Sequence, residues 1–188
     1  MNTKLPAYET EFHEALERTD LWGLCAPYFR ATDSCFVEGN IQKIGTLLQK
    51  TLGRFSAEHV SQQCFAVTFF MKEQLESMLE NTLTYTLGYV ELNQKNVFYT
   101  PYEKLKELLI NPVTSGPVNL HAWLTTPAYE IIDLTFSTTY GVVNNDPSCI
   151  GGMMAQHHSA FTQDLKHHPQ IIGEDFLYEI GAIKELKL

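Results

Sequence analysis

Three residues of this chain have the types and the order needed for nucleophilic chemistry. Cys64 stands in Ser61-Gln62-Gln63-Cys64-Phe65-Ala66-Val67, His121 in Asn119-Leu120-His121-Ala122-Trp123, and Asp133 in Glu130-Ile131-Ile132-Asp133-Leu134-Thr135. A thiol is a poor nucleophile until ionised, and an adjacent imidazole or a helix N-terminus favours the thiolate. A histidine can take the thiol proton and return it to a leaving group. A carboxylate on the far ring nitrogen fixes the tautomer and stabilises the imidazolium. The backbone N–H of Cys64, helped by Gln62 or Gln63, is the candidate oxyanion hole. Each residue also has a plainer reading, since a lone cysteine or strand histidine is more often a packing residue.

These residues need elements to position them. Residues 64–80 carry Val67, Phe70, Met71, Leu75, Met78 and Leu79 at a 3.6-residue period, so a helix is expected there. Ser61 is its expected N-cap, which sets Cys64 in the first turn. The first half is apolar nearly all round, so it is expected to be buried against a sheet. From residue 82 the period changes to 2. Residues 82–92 and 97–100 read as strands, and Tyr102–Ile110 as a short helix entered through Pro101. Residues 111–117 read as a turn-rich loop.

Residues 118–124 and 129–136 read as a hairpin around Thr125-Thr126-Pro127-Ala128. A turn centred on Pro127 puts His121 directly opposite Asp133 and Trp123 opposite Ile131. Directly opposed residues share a face with Cβ atoms roughly 4.5–5.5 Å apart. A two-residue turn would spoil that opposition.

Upstream, residues 8–22 and 39–53 have helical spacing, the second closed by Gly53 as a C-cap signal. Downstream, residues 141–152 read as a loop, 153–166 as a helix and 176–183 as a final strand. An early helical block followed by an antiparallel strand-rich block gives an α+β fold. The expected organisation is one domain over residues 1–188: a helical extension (1–55), a core bearing the triad (56–137), and a closing loop, helix and strand (138–188).

Composition sets the outer limits. Apolar residues make up 44% and charged residues 19%, enough for a core. Thirteen basic against 22 acidic residues give a net charge of −9, and no basic run occurs, so nucleic acid is not an expected partner. No apolar run approaches roughly 18 residues, so no membrane span is expected, and the N-terminus lacks an apolar signal region. Cys25, Cys35, Cys64 and Cys149 match no zinc spacing and are expected to be free thiols in a reducing, cytoplasmic setting. Delivery into another cell stays open. His157-His158 and His167-His168 are weak metal candidates near expected helix ends, and no metal or cofactor is expected. Trp123, Tyr99 and Tyr140, with Tyr102, are candidate cleft aromatics, though for each one alone core packing is the commoner role.

A cysteine at a helix start, His121-Ala122-Trp123 on a strand and Ile131-Ile132-Asp133-Leu134-Thr135 on the next resemble the transglutaminase-like superfamily. This is a branch of the papain-like cysteine enzymes that includes arylamine N-acetyltransferases, transglutaminase-like peptidases and glutamine deamidases. The likeness covers residues 56–137. It departs from the family pattern beside the cysteine, where Gln63 and Phe65 replace the usual Gly and Trp. It implies Cys64 as nucleophile, His121 as base and Asp133 as orienter, on a helix packed against a small antiparallel sheet. The expected activity is cysteine-dependent acyl transfer, as hydrolysis or deamidation of a peptide or protein amide. The alternatives are an inactive binding module on the same fold, or an amine- or coenzyme A-dependent acyltransferase.

Overall fold

The computed structural model of the protein describes residues 8–61, 63–112 and 118–183. In chain order the elements begin with α1 (Tyr8–Leu21), α2 (Ile41–Leu52), α3 (Ala57–Ser61) and α4 (Cys64–Leu79). Then come β1 (Thr84–Leu92), β2 (Lys95–Val97), α5 (Tyr102–Ile110), β3 (His121–Thr125) and β4 (Glu130–Asp133). The chain closes with α6 (Phe136–Asn144), β5 (Met154–His157), β6 (Leu165–Ile172) and α7 (Asp175–Glu179). The fold is α+β, and its strand pairs are antiparallel. No helix among the described residues is long and apolar enough to cross a membrane.

The chain divides into two compact units. One gathers Met1–Tyr28, Thr86–His121 and Phe161–Leu188; the other gathers Phe29–Tyr85 and Ala122–Ala160.

In the first unit β1 is paired on one side with β2 and on the other with β6. The β1–β2 turn is Asn93 and Gln94, both at positive φ (50° and 62°), the backbone of a type I′ hairpin. Pro169 interrupts β6, and the ladder slips between Leu87 and Gly88 just where Pro169 pairs with Gly88. A proline cannot donate to a ladder, so an irregularity there is the tolerated solution. Helix α1 lies along β6: Arg18 Nη1 donates to the Gln170 carbonyl at 2.7 Å, and Ile172 N–H donates to Thr19 Oγ1 at 2.9 Å. Phe12, Ala15, Leu87, Ile171 and Phe176 are fully buried in its core.

In the second unit β4 lies between β3 and β5. Two hydrogen bonds seat the first turns of α4: Thr68 Oγ1 donates to the Ala122 carbonyl of β3 (3.3 Å), and Tyr85 Oη donates to the Phe65 carbonyl (2.9 Å). Helix α3 is tied to α6 by Thr139 Oγ1, which donates to the Ser61 carbonyl. The buried Glu130 carboxylate accepts from Phe36 N–H (2.9 Å), Val37 N–H (3.0 Å) and Thr126 Oγ1 (2.9 Å), anchoring the approach to α2.

Helices α1, α2, α4 and α5 fall where periodicity places them, as do β1 and the β3–β4 hairpin. Several expectations are corrected. Residues 153–166, expected as a helix, form β5 and the start of β6. The spacing of Met154, Phe161 and Leu165 suits a helix, but β5 is a half-buried strand with no alternation to reveal it. Residues 176–183, expected as a strand, hold α7. Gly173 turns the chain at φ 90°, and Phe176, Leu177 and Ile180 are buried at helical spacing. The expected loop at 141–152 is in part the end of α6 and a 3₁₀ turn, Pro147–Cys149. The second strand is Lys95–Val97 and stops where Phe98 takes φ 65°. His157 ends β5, His158 opens a 3₁₀ turn, and His167 and His168 lie within β6, so neither histidine pair stands at the end of an α-helix. The expected 111–117 loop lies largely outside the described residues.

Removing the Glu130 anchor should be costly, because one buried N–H (Val37) and one part-buried N–H (Phe36) lose a charged acceptor. Glu130→Ala is expected to lower unfolding free energy by about 2–4 kcal/mol, with Glu130→Gln losing less because one acceptor remains. Chemical denaturation of both variants measures this. Equal stability of Glu130→Ala and the parent would show that residues 36 and 37 are held by something else.

Candidate functional site

Cys64 is the first residue of α4, half-buried, and the residue before it, Gln63, is the N-cap. Ser61, the expected cap, instead closes α3, and its hydroxyl donates to the Glu58 carbonyl. The Gln63 carbonyl accepts the first bond of the helix, from Val67 N–H at 2.8 Å, while its side chain makes no capping bond. Gln62 lies outside the described residues. Thr68 follows Cys64 by one turn and so shares its side of the helix. Its bond to the Ala122 carbonyl brings that side against β3 at the residue after His121.

His121 is the first residue of β3, is buried, and belongs to the first unit, whereas Cys64 and Asp133 belong to the second. Its imidazole is stacked on Phe98, with ring centroids 5.3 Å apart and planes at 19°. Phe98 holds this position with φ 65°, a left-handed backbone that bulky residues rarely adopt. Nothing in the sequence around Phe98 signals that backbone.

Asp133 ends β4 and is fully buried. Its Oδ1 accepts from Thr135 N–H (3.1 Å) and Phe136 N–H (3.0 Å), so the carboxylate covers the start of α6. The neighbouring Thr135 hydroxyl is buried without a hydrogen-bond partner among the described residues.

The hairpin register differs from the expected one by two residues. Leu124 pairs with Ile132 and Thr125 with Ile131, which puts Trp123, not His121, across from Asp133. The turn is centred on Ala128: Thr126 N–H donates to the Glu130 carbonyl, and Tyr129 supplies the left-handed residue (φ 55°) of a three-residue loop. Glycine usually marks that position, and a tyrosine there hides it. A slip of two keeps the alternation, so Trp123, Thr125, Ile131 and Asp133 lie on one face and His121 has the same parity along β3.

The candidate cleft aromatics part company. Trp123 has no exposed surface and is a core residue. Tyr99 is exposed and meets Tyr89 edge-on at 4.9 Å, and Tyr140 is half-buried on α6 beside Phe136. The remaining thiols show no shared site. Cys25 and Cys35 are exposed, and Cys149 Sγ donates to Asp146 Oδ2 at 3.5 Å. Hydrogen bonds from Ser148 and that thiol hold the Asp146 carboxyl below the usual range.

The expectation that the first half of α4 is buried against a sheet holds for one face only. Val67, Thr68 and Met71 face the core, but Phe69 and Phe70 are 40% and 61% exposed. The open face borders a groove of about 470 Å³ lined by α2, α3 and α4.

Sequence reasoning also passed over a polar cluster in the first unit. The His168 ring lies flat on Tyr89 (4.6 Å, 12°), with Nδ1 2.9 Å from Glu11 Oε2 and Nε2 3.8 Å from Glu91 Oε2. Lys166 Nζ reaches Glu91 Oε1 at 3.3 Å, and the Arg18 guanidinium sits 3.9 Å over the Tyr102 ring. Burial, reinforced by Glu11 and the neighbouring phenols, pushes the Tyr89 hydroxyl up to about 12. Burial also raises Tyr102, against the opposing pull of Arg18. These residues come from α1, β1, α5 and β6, and only the β-sheet register and the docking of α1 bring them together.

No family model, no curated protein and no solved structure matches the chain.

Tyr89 links folding to alkaline pH. The folded state holds its proton more tightly than the unfolded chain does, from an ordinary value of 10 up to about 12. That contribution is fully present below pH 10 and is lost as pH rises through about 12. Tyr89→Phe should therefore show a shallower fall in Tm across this window. Parallel Tm-against-pH curves for variant and parent would contradict the assignment.

Proposed function

We propose that this chain is a cysteine-dependent acyl-transfer enzyme with a transglutaminase- or papain-like core. Cys64 is the nucleophile, His121 the base and Asp133 the group that orients it, and the substrate is a peptide or protein amide. The reading rests above all on one observation: the side of α4 that carries Cys64 is hydrogen-bonded, one turn on, to the carbonyl next to His121. The resemblance in residue order supports it.

In this reading His121 takes the Cys64 proton and the sulfur attacks the amide carbon, forming a C–S bond. The developing oxyanion is met by backbone N–H groups at the start of α4, with Gln63 beside them. His121 returns the proton to the departing nitrogen as the C–N bond breaks, leaving an acyl-enzyme. Water then attacks as His121 takes its proton, and the thiol is regenerated. Hydrolysis of a backbone amide and deamidation of a glutamine side chain follow the same steps.

The capping of α6 by Asp133 favours a second reading, in which this carboxylate is structural and the fold serves as a binding module. Exposure separates the two. In a binding module thiol reactivity follows accessibility, so Cys25 and Cys35 react before Cys64. In an enzyme the half-buried Cys64 reacts first, on the order of tenfold faster than the exposed thiols. Iodoacetamide labelling at neutral pH, with peptide mass spectrometry of all four sites, measures this. His121→Ala should erase the Cys64 advantage. An order set by exposure alone in the parent protein would overturn the enzymatic reading.

A further inference from the structure

We propose that the groove between α2, α3 and the first half of α4 binds an acidic peptide segment bearing apolar side chains. This deepens the acyl-transfer reading by naming the substrate side of the site. All of its walls belong to the second unit.

The floor and walls are apolar. Leu52, Val60 and Val67 form the base, and Phe55 and Phe70 stand at the sides, 43% and 61% exposed. A volume of about 470 Å³ lies in the range of functional pockets, roughly 300–1,000 Å³. With both phenylalanines open to water the site is a groove, not a closed cavity. A lone acyl chain would stay half wetted there, whereas a peptide inserts side chains and covers them with its own backbone.

The charge of the lining selects the sequence of that peptide. The protein carries a net −9, yet the groove's charged residues are Lys50 and Arg54, with His59 beside them and no carboxylate in the lining. Arg54 is held over the Phe55 ring at 5.3 Å, and His59 stacks on the same ring (5.4 Å, 18°). The cationic and aromatic groups are thus set side by side, matching a ligand in which carboxylates neighbour apolar side chains. The N-cap Gln63 and the α4 residues Ala66, Val67, Phe70 and Gln74 line the groove as one stripe that begins at the residue before Cys64. A peptide laid along the stripe ends beside the first turn of α4, next to Cys64 in the chain, although Cys64 itself does not line the groove.

The test uses the full chain carrying Cys64→Ala, so that binding is measured without chemistry. Fluorescein-labelled hexapeptides alternating leucine with glutamate, glutamine or lysine are titrated by fluorescence anisotropy. The glutamate peptide should bind tightest and weaken with salt. Lys50→Glu with Arg54→Glu, both exposed positions, should weaken it about tenfold or more, and Phe70→Ser should weaken the glutamate and glutamine peptides alike. Preference for the lysine peptide, or indifference to the charge reversal, overturns the proposal. So does displacement of the peptide by decanoate at equal concentration, which would mark a lipid site. A dimer in light scattering that the charge reversal dissolves would overturn it in favour of self-association. Success here with exposure-ordered thiol labelling would keep the groove and reject the nucleophile, and the reverse result would reject only the groove.

Discussion

The seat of α4 on β3 is the constraint on which the second unit depends. The helix starts at Cys64, and within its first five residues two hydrogen bonds fix it: Phe65 through its carbonyl to Tyr85, and Thr68 through its hydroxyl to Ala122. Each contributes only about 1 kcal/mol, but together they set the rotation of the helix about its axis. That rotation turns Val67, Met71 and Leu75 inward and leaves Phe70 outward. It also decides which side of the helix start meets the strand next to His121. The polar pair and the larger apolar burial of Met71 and Leu75 agree on one rotation, which fixes both the buried face and the open one.

Buried carboxylates do a second kind of positioning. Glu130 and Asp133 bracket β4; Glu130 accepts from two backbone N–H groups of a distant segment, and Asp133 from two N–H groups just after it in the chain. Such groups would be costly to bury unpaired. Asp133 lies at the junction of two demands: it covers the start of α6, and it stands on the face of the hairpin that carries Trp123. A carboxylate held by two N–H donors has a fixed orientation, which is what an orienting role requires, so the structural and chemical readings draw on the same geometry.

Charge is divided unevenly over the chain. In the first unit Glu11 and Glu91 gather around His168 and Tyr89, whereas the groove of the second unit is lined by cations alone among its charged residues. A net charge of −9 describes neither place. Inferring partners from the total alone points away from acidic ligands, and the groove reverses that inference locally, because field strength near a surface follows the nearest few charges.

The amino-acid sequence determined the strongly periodic elements by itself. The stripe from Val67 to Leu79 and the run Tyr102–Ile110 specify helices because a 3.6-residue apolar period is satisfied by one conformation. Residue order also placed a cysteine at a helix start and a histidine and an aspartate on paired strands. Tertiary structure decided the rest. Register turned on Tyr129 adopting φ 55°, which no glycine announces. The strand at Met154–His157 and the helix at Asp175–Glu179 were hidden because half-burial on a strand, and a single helical turn after Gly173, leave too few residues for a period to show. Phe98 against His121, the groove under Phe70 and the cluster around Tyr89 join residues far apart in the chain, and local periodicity carries no information about such meetings.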